Sequence, residues 1–192
     1  MTHQRDEDGN DHRTPAALTT ARLVLRRQCI TDRPAIEALA TDPHQVDEML
    51  PRDPGATTDG VIFVVLSAAS GELLGQAGYR GIAEIPAPVE LMLWLRPEKR
   101  GNGFGTEAAH AMIDHAFADG RVGVLWCAVR VTNSGARRVL EKSGFQFRGG
   151  GMLRPSSASG AFAFERFVLD RRNWASLKAW GADDHRRATD AA

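Results

Sequence analysis

An α+β fold on a mixed, mostly antiparallel sheet is what the sequence predicts, and three observations carry the prediction. Three apolar runs of strand length follow one another over residues 60–97 with no helix between them. A strand–helix–strand step across residues 89–131 demands a crossover, so those two strands run parallel. After one more short helix, two further strands flank a Ser/Gly-rich loop. The expected architecture is a central sheet of about seven strands flanked by about four helices, with one parallel pair.

Each element has a local cause. "ARLVLR" places Ala21, Leu23 and Leu25 on one face and Arg22, Val24 and Arg26 on the other, a strand with a buried side. In "TDRPAIEALATD", Thr31 or Asp32 caps a helix, Pro34 fits its first turn, and Ile36, Leu39 and Ala40 form its apolar stripe. "HQVDEML" reads as a second short helix closed by Pro51. "GVIFVVLSA" and "GELLGQAGYRGI" pair as a hairpin through Ser70–Gly71, and "VELMLWLRP" is the third strand, stopped by Pro97. A helix over Thr106–Asp119 follows, with Ala109, Met112, Ile113, Ala116 and Phe117 at helical spacing. "VGVLWCAVRV" is a buried strand, and "NSGARRVLEKSGF" a short helix that Gly144 ends, with Phe145 packing back on Leu140. "FQFRGGGMLRP" and "FAFERFVLDR" are the final strands.

Residues 1–17 are expected as a disordered tail, 18–178 as one domain, and 179–192 as a polar C-terminal tail. The 192 residues suffice for a full core, and 43% hydrophobic with 25% charged content is ordinary for a globular chain. A formal net charge of +0 disfavours nucleic acid or an acidic membrane surface as partner. No apolar run reaches the roughly 18 residues a membrane span needs. "MTHQRDEDGNDHR" has no apolar core and is not expected to act as a secretory leader, which points to the cytoplasm. Cys29 and Cys127 are expected as buried, reduced thiols. No metal is expected: there is no CxxC, neither cysteine has a histidine at ligand spacing, and His110 and His115 do not share a helix face.

"KRGNGFGTEAAHAMIDHAF", Lys99 to Phe117, poses the functional question. Alternating Gly101, Gly103 and Gly105 between a strand and a helix N-terminus suit an anion, because successive N–H groups and the helix dipole face it and missing side chains let phosphate approach. The spacing departs from a P-loop, which needs GxxxxGK[ST], and from the GxGxxG of dinucleotide sites.

"RGNGFG", with Arg100, Gly103 and Gly105 in place, fits the R-x-x-G-x-G signature of the GNAT N-acetyltransferase superfamily. "ARLVLRRQCITDRPAIEAL", "VELMLWLRPEKRGNGFGTEA" and "NSGARRVLEKSGF" resemble, in order, the opening strand and helix, the fourth strand and loop, and the Asn-containing segment of its ribosomal-protein N-terminal-acetyltransferase (RimJ/RimL-type) branch. The resemblance covers about residues 19–175. It implies a GNAT fold, acetyl-CoA as co-substrate, and a V-shaped opening between Val89–Leu95 and Val122–Thr132. Main-chain groups around Leu93, Trp94 and Leu95 would hold the pantetheine arm. N–H groups of Arg100, Gly101, Asn102, Gly103, Phe104, Gly105 and Thr106 would hold the pyrophosphate, and Asn133 would contact the arm near the thioester. Transfer would be direct, onto a primary amine, with a protein N-terminal α-amine favoured. Amino acids, polyamines and aminoglycosides are alternative acceptors, and an acyl-CoA sensor without turnover is an alternative to an enzyme. The resemblance also admits a homodimer.

The chemistry sets requirements of its own. The attacking amine must be neutral; at pH 7 a lysine-like amine is about 0.04% neutral and an α-amine about 10%. Glu90, inside an apolar run and at the position of the branch's strand glutamate, is the candidate base, unless it is a solvent-facing edge residue. The leaving thiolate needs a proton. The superfamily's tyrosine position is Leu140 here, and the branch's serine position is Ala136. Ser134 is the nearest hydroxyl, with a helix N-cap as its plainer role.

Overall fold

The computed structural model describes residues 17–39, 60–81, 88–118, 120, 122–153 and 161–190, with side chains described as far as residue 180. Within these residues the chain runs β1 (Ala17–Thr19), β2 (Leu23–Arg27), α1 (Arg33–Leu39), β3 (Gly60–Ser67), β4 (Leu73–Arg80), β5 (Val89–Leu95), α2 (Phe104–Ala118), β6 (Val124–Arg130), α3 (Ser134–Lys142), β7 (Gln146–Leu153), β8 (Phe162–Asp170) and α4 (Arg171–Asp190). The eight strands form one open sheet in the order β1-β2-β3-β4-β5-β6-β8-β7. Every neighbouring pair is antiparallel except β5 and β6, the pair that α2 connects. The α+β class and the parallel pair are as the sequence predicts.

Strand alternation decides which face each helix covers. Leu23, Leu25, Phe63, Val65, Ala77, Tyr79, Val89, Leu91 and Leu95 point to one side and meet Ala108, Ala109, Met112, Ile113, Ala116 and Phe117 of α2. The alanines let α2 lie close to the sheet. Burying each large side chain here contributes about 1.5–3 kcal/mol. Trp174 of α4 joins this core while its indole N–H donates to Asp114 Oδ1 at 2.8 Å. On the opposite face Ile36 of α1 packs on Val64, with Leu66 and Leu73 beside them. The rest of that face, from β4 across β8, carries the polar groups that matter below.

Several local expectations shift. β1 adds an eighth strand, beginning at the last residue of the expected tail. The helix expected over residues 44–50 lies outside the described residues; among those described, the fourth helix is α4. β8 passes into α4 with no connecting turn, Asp170 Oδ1 accepting from the N–H of Asn173 at 2.9 Å, so no breaker marks the change. The start of α1 is a 3₁₀ turn, Ile30–Asp32, and Asp32 works inside it: Oδ2 accepts from the Cys29 N–H at 2.8 Å. The Arg26 guanidinium, 2.7 Å from Oδ1, holds the Asp32 carboxyl down to about 2. Cys29 is therefore exposed and not a core thiol, because β2 has ended two residues before it. The end of α3 follows expectation: Gly144 sits at φ 79°, its N–H donates to Glu141 O, and the Phe145 N–H donates to Leu140 O at 3.0 Å.

Candidate active site

β5 and β6 pair only at Val89↔Leu125 and Glu90↔Trp126. Beyond that point β5 stays on β4 as far as Leu95↔Gly75, while β6 stays on β8 as far as Arg130↔Phe164. The two strands thus part, and from Leu91 and Cys127 onward each presents an edge that the other does not pair. An extended ligand laid between them would meet main-chain donors and acceptors, as an added strand would. Leu93 and Leu95 turn their side chains to the α2 face and Trp94 to the other, so what these residues offer the opening is backbone. The Leu95 carbonyl is already used, accepting from Arg100 Nε at 2.8 Å.

The β5 arm leads through a 3₁₀ turn, Pro97–Lys99, into the glycine loop. Gly101 and Gly103 adopt φ 80° and 81°, a region that side-chain-bearing residues rarely enter. Around a Cβ at Gly101 nothing stands within 4 Å, so the loop is open there. Gly105 serves packing instead: a Cβ would lie 3.3 Å from Val139 Cγ2 and 3.6 Å from Leu95 Cδ1. α2 starts at Phe104, two residues earlier than expected, and its first i→i−4 bond runs from Glu107 N–H to Gly103 O at 3.1 Å. The N–H groups of Phe104, Gly105 and Thr106 therefore have no acceptor within the helix and face the loop end with the positive end of its dipole.

Three residues that sequence reasoning missed fasten this loop. Arg22 Nε contacts Glu107 Oε2 at 2.7 Å, and the Arg22 N–H donates to Glu107 Oε1 at 2.8 Å. Thr20 Oγ1 donates to the same oxygen at 2.6 Å. Arg22 also reaches forward: Nη1 donates to Asn102 O at 3.0 Å, and Cζ lies 4.7 Å from the centre of the Phe104 ring. Burial alone would raise the Glu107 carboxyl; hydrogen bonds from Thr20 and Arg22 outweigh it and hold the group below its ordinary value. A glutamate in a helix's first turn was the available signal, but its partner lies 85 residues away.

At the end of the β6 arm, Asn133 and not Ser134 is the N-cap of α3, its Oδ1 accepting from the Ala136 N–H at 3.0 Å. Ser134 is the first helical residue. Leu140 is buried in the core, and Ala136 packs against it. Tyr79 is also a core residue, with its hydroxyl 2.9 Å from His115 Nδ1.

Glu90 lies where the strands part, on the face opposite α2, with its side chain 18% exposed. It is not a lone carboxylate among apolar groups: Arg80, its register neighbour on β4, forms an ion pair with it through Nε. Burial, with the nearby Glu90 charge adding to it, pushes the Cys127 thiol up to about 12, so no thiolate forms near neutral pH. On the same face as Glu90, the Arg166 guanidinium lies 4.6 Å from the centre of the Trp126 ring, and that of Arg130 4.0 Å from the Phe162 ring. The Trp94 indole N–H is buried there without a hydrogen-bond partner. Among the described residues no group of three or more His, Cys, Asp or Glu side chains is arranged to hold a metal.

The chain matches the family described as Acetyltransferase (GNAT) domain over residues 22–146, a span that includes both arms of the opening and the glycine loop. The L-methionine sulfoximine/L-methionine sulfone acetyltransferase of Pseudomonas aeruginosa is 31% identical over 93 residues, 47% of this chain and 54% of that protein; the chain thus spans about half the length of the curated relatives it matches. Mutant forms of a spermidine/spermine N-acetyltransferase from Vibrio cholerae share the fold at 19% identity, with a TM-score of 0.67 over 83% of this chain and 99% of that one. A provisionally named ribosomal-protein-serine acetyltransferase from Vibrio cholerae does so at 18% identity and a TM-score of 0.65, over 82% and 99%.

Proposed function

The chain belongs to the GNAT acetyltransferase family, and on that premise we propose that it is an acetyl-CoA-dependent N-acetyltransferase acting on a primary amine. One observation carries the proposal: β5 and β6 part immediately beyond Glu90 and Trp126, and the β5 arm runs straight into a loop with two positive-φ glycines and a helix N-terminus. The residues fit acetyl-CoA. The free edge at Leu93, Trp94 and Leu95 suits the amides of the pantetheine arm. The open loop from Arg100 to Thr106, including Gly101, Asn102, Gly103, Phe104 and Gly105, suits a pyrophosphate. Asn133 has its Oδ1 engaged in capping, which leaves Nδ2 as the donor towards the arm.

Acetyl-CoA supplies an activated acetyl group as a thioester, which a neutral amine attacks with release of the free thiol. Glu90 takes the amine's proton, directly or through water, and Arg80 holds the carboxylate in place. Ser134, which Asn133 relieves of capping, is the hydroxyl we assign to the departing thiolate. Cys127 stays protonated, which favours direct transfer over an acyl-enzyme. A single ion-paired carboxylate suits an acceptor of modest basicity, so the acceptor is an α-amine. A protein or peptide N-terminus is favoured by the RimJ/RimL-type resemblance and by the ribosomal-protein-serine neighbour. A free amino acid is the second candidate, favoured by the methionine sulfoximine relative. A cytoplasmic place belongs to the same proposal; no described helix is long and apolar enough to cross a membrane.

The test is free-thiol release from acetyl-CoA against α-amine peptides, free amino acids, polyamines and aminoglycosides, with mass analysis of the acceptor. Thiol release that requires an α-amine, matched by acetylated product, is expected. Acetyl-CoA binding with no release for any amine would replace the enzyme by an acyl-CoA sensor.

A further inference from the structure

We propose that Arg166 and Arg130 form an anion subsite on the open face of the sheet, so that the acceptor carries a carboxylate close to its reacting amine. The inference rests on the opening between β5 and β6 being the acetyl-transfer site, and it narrows the acceptor there.

Register and strand alternation place the subsite. Glu90 and Trp126 are partners across the last pairing of β5 with β6. Trp126 pairs with Val168 on β8, and Ala128, two residues along the same face of β6, pairs with Arg166. Arg166 does not extend away from the opening: its guanidinium folds back over the Trp126 ring, 4.6 Å from the centroid. Trp126 thus has Glu90 beside it on the neighbouring strand and the Arg166 guanidinium over its ring. Arg130 follows on the same face of β6, its guanidinium carbon 4.0 Å from the centre of the Phe162 ring on β8. Each guanidinium rests against an aromatic ring, which limits where it sits, and donates to no described acceptor, so its N–H groups are left for a ligand. Neither has a carboxylate partner among the described residues: Glu165, the neighbour of Arg166 on β8, turns to the other face and pairs with Arg137 at 2.9 Å.

Charge then decides between amine classes. Nearest Glu90 on this face by register stand the guanidiniums of Arg80, Arg166 and Arg130, with Arg80 already paired to Glu90; the other described carboxylates around the opening are taken, Glu72 and Glu98 by Arg96 and Lys99 beyond the end of β5, and Asp170 by Asn173. A polyamine, with several cations and no anion, would meet these guanidiniums and would find no unengaged acid for its second cation. An α-amine with a carboxylate a few bonds away matches the site end to end: amine at Glu90, carboxylate in the guanidinium fork over Trp126. That carboxylate could come from a free amino acid's own α-carboxyl group or from an acidic side chain next to a peptide N-terminus.

Calorimetric titration of the CoA-saturated protein separates these sources and does not depend on turnover. The ligands are L-leucine against L-leucinamide, Ala-Asp-Ala amide against Ala-Asn-Ala amide, and spermidine. At least tenfold tighter binding of the carboxylate member is expected in one of the two matched pairs, and which pair identifies the source. Arg166→Gln should reduce that preference to less than threefold by weakening the carboxylate member alone, with acetyl-CoA affinity unchanged. Equal binding within both pairs, a preference that survives in both R166Q and R130Q, or tighter binding of spermidine overturns the subsite. Thiol release is read separately: its absence with every acceptor would remove the transferase, whereas the matched pairs alone decide the subsite.

Discussion

Gly103→Val lowers acetyl-CoA affinity by at least roughly 100-fold in a chain that still folds, the sum of a distorted phosphate cradle and a strained backbone costing about 1–3 kcal/mol. At φ 81° a β-branched residue is strained, and its Cβ would approach Arg22 Nη2 to 3.2 Å. Arg22 would have to leave Asn102 O or Glu107, the contacts that fix the loop. The substitution sits in an exposed loop away from the core, so the fold tolerates it. Acetyl-pantetheine, which lacks the pyrophosphate, should bind wild type and variant equally. Gly105→Ala should behave in the opposite way, lowering stability through Val139 while acetyl-CoA affinity changes less than threefold. Calorimetric affinities of both ligands for both variants check this. Unchanged acetyl-CoA affinity in folded G103V would remove the loop as the pyrophosphate site.

Glu90→Gln leaves acetyl-CoA affinity within a few-fold and lowers kcat roughly 100-fold, the size of a typical general-base contribution. The amide keeps the shape and cannot take a proton. Arg80 loses its partner but is more than half exposed, so water replaces the carboxylate and the fold is not at risk. The deficit should shrink as pH rises, since the amine then deprotonates unaided, and it should vanish at lower pH for an α-amine than for a lysine amine, following their pKa order. The pH–rate profiles of wild type and E90Q on one α-amine acceptor decide it. Parallel profiles at equal rate would make Glu90 a structural partner of Arg80 and nothing more.

What could be read from the sequence was local, and what could not was pairing between distant segments. "GVIFVVLSA", "VELMLWL" and "VGVLWCAVRV" announce strands because their length and apolar content leave one outcome, and the crossover between the last two dictates the parallel pair that opens into the site. "LEKSGF" specifies its own helix end through Gly144. Gly101 and Gly103 were legible as backbone residues; that Gly105 serves packing depends on Val139, 34 residues on. α4 was missed because Asp170 ends a strand and caps a helix at once. The partners of the site residues were out of reach for the same reason: Arg22 meets Glu107, Arg80 meets Glu90 and Arg166 meets Trp126 only once register is set. The expectation for Cys29 failed because apolar neighbours in sequence do not bury a residue in the turn between β2 and α1.

The central claim is that acetyl-CoA lies between the parted strands with its pyrophosphate on the glycine loop. Amide hydrogen exchange of the full chain with and without saturating acetyl-CoA tests it most directly. Slowed exchange is expected at residues 91–95, 100–106 and 127–133, with β7 and the β2–β3 pair unchanged. Slowing confined to other segments, or none at 100–106, would contradict it.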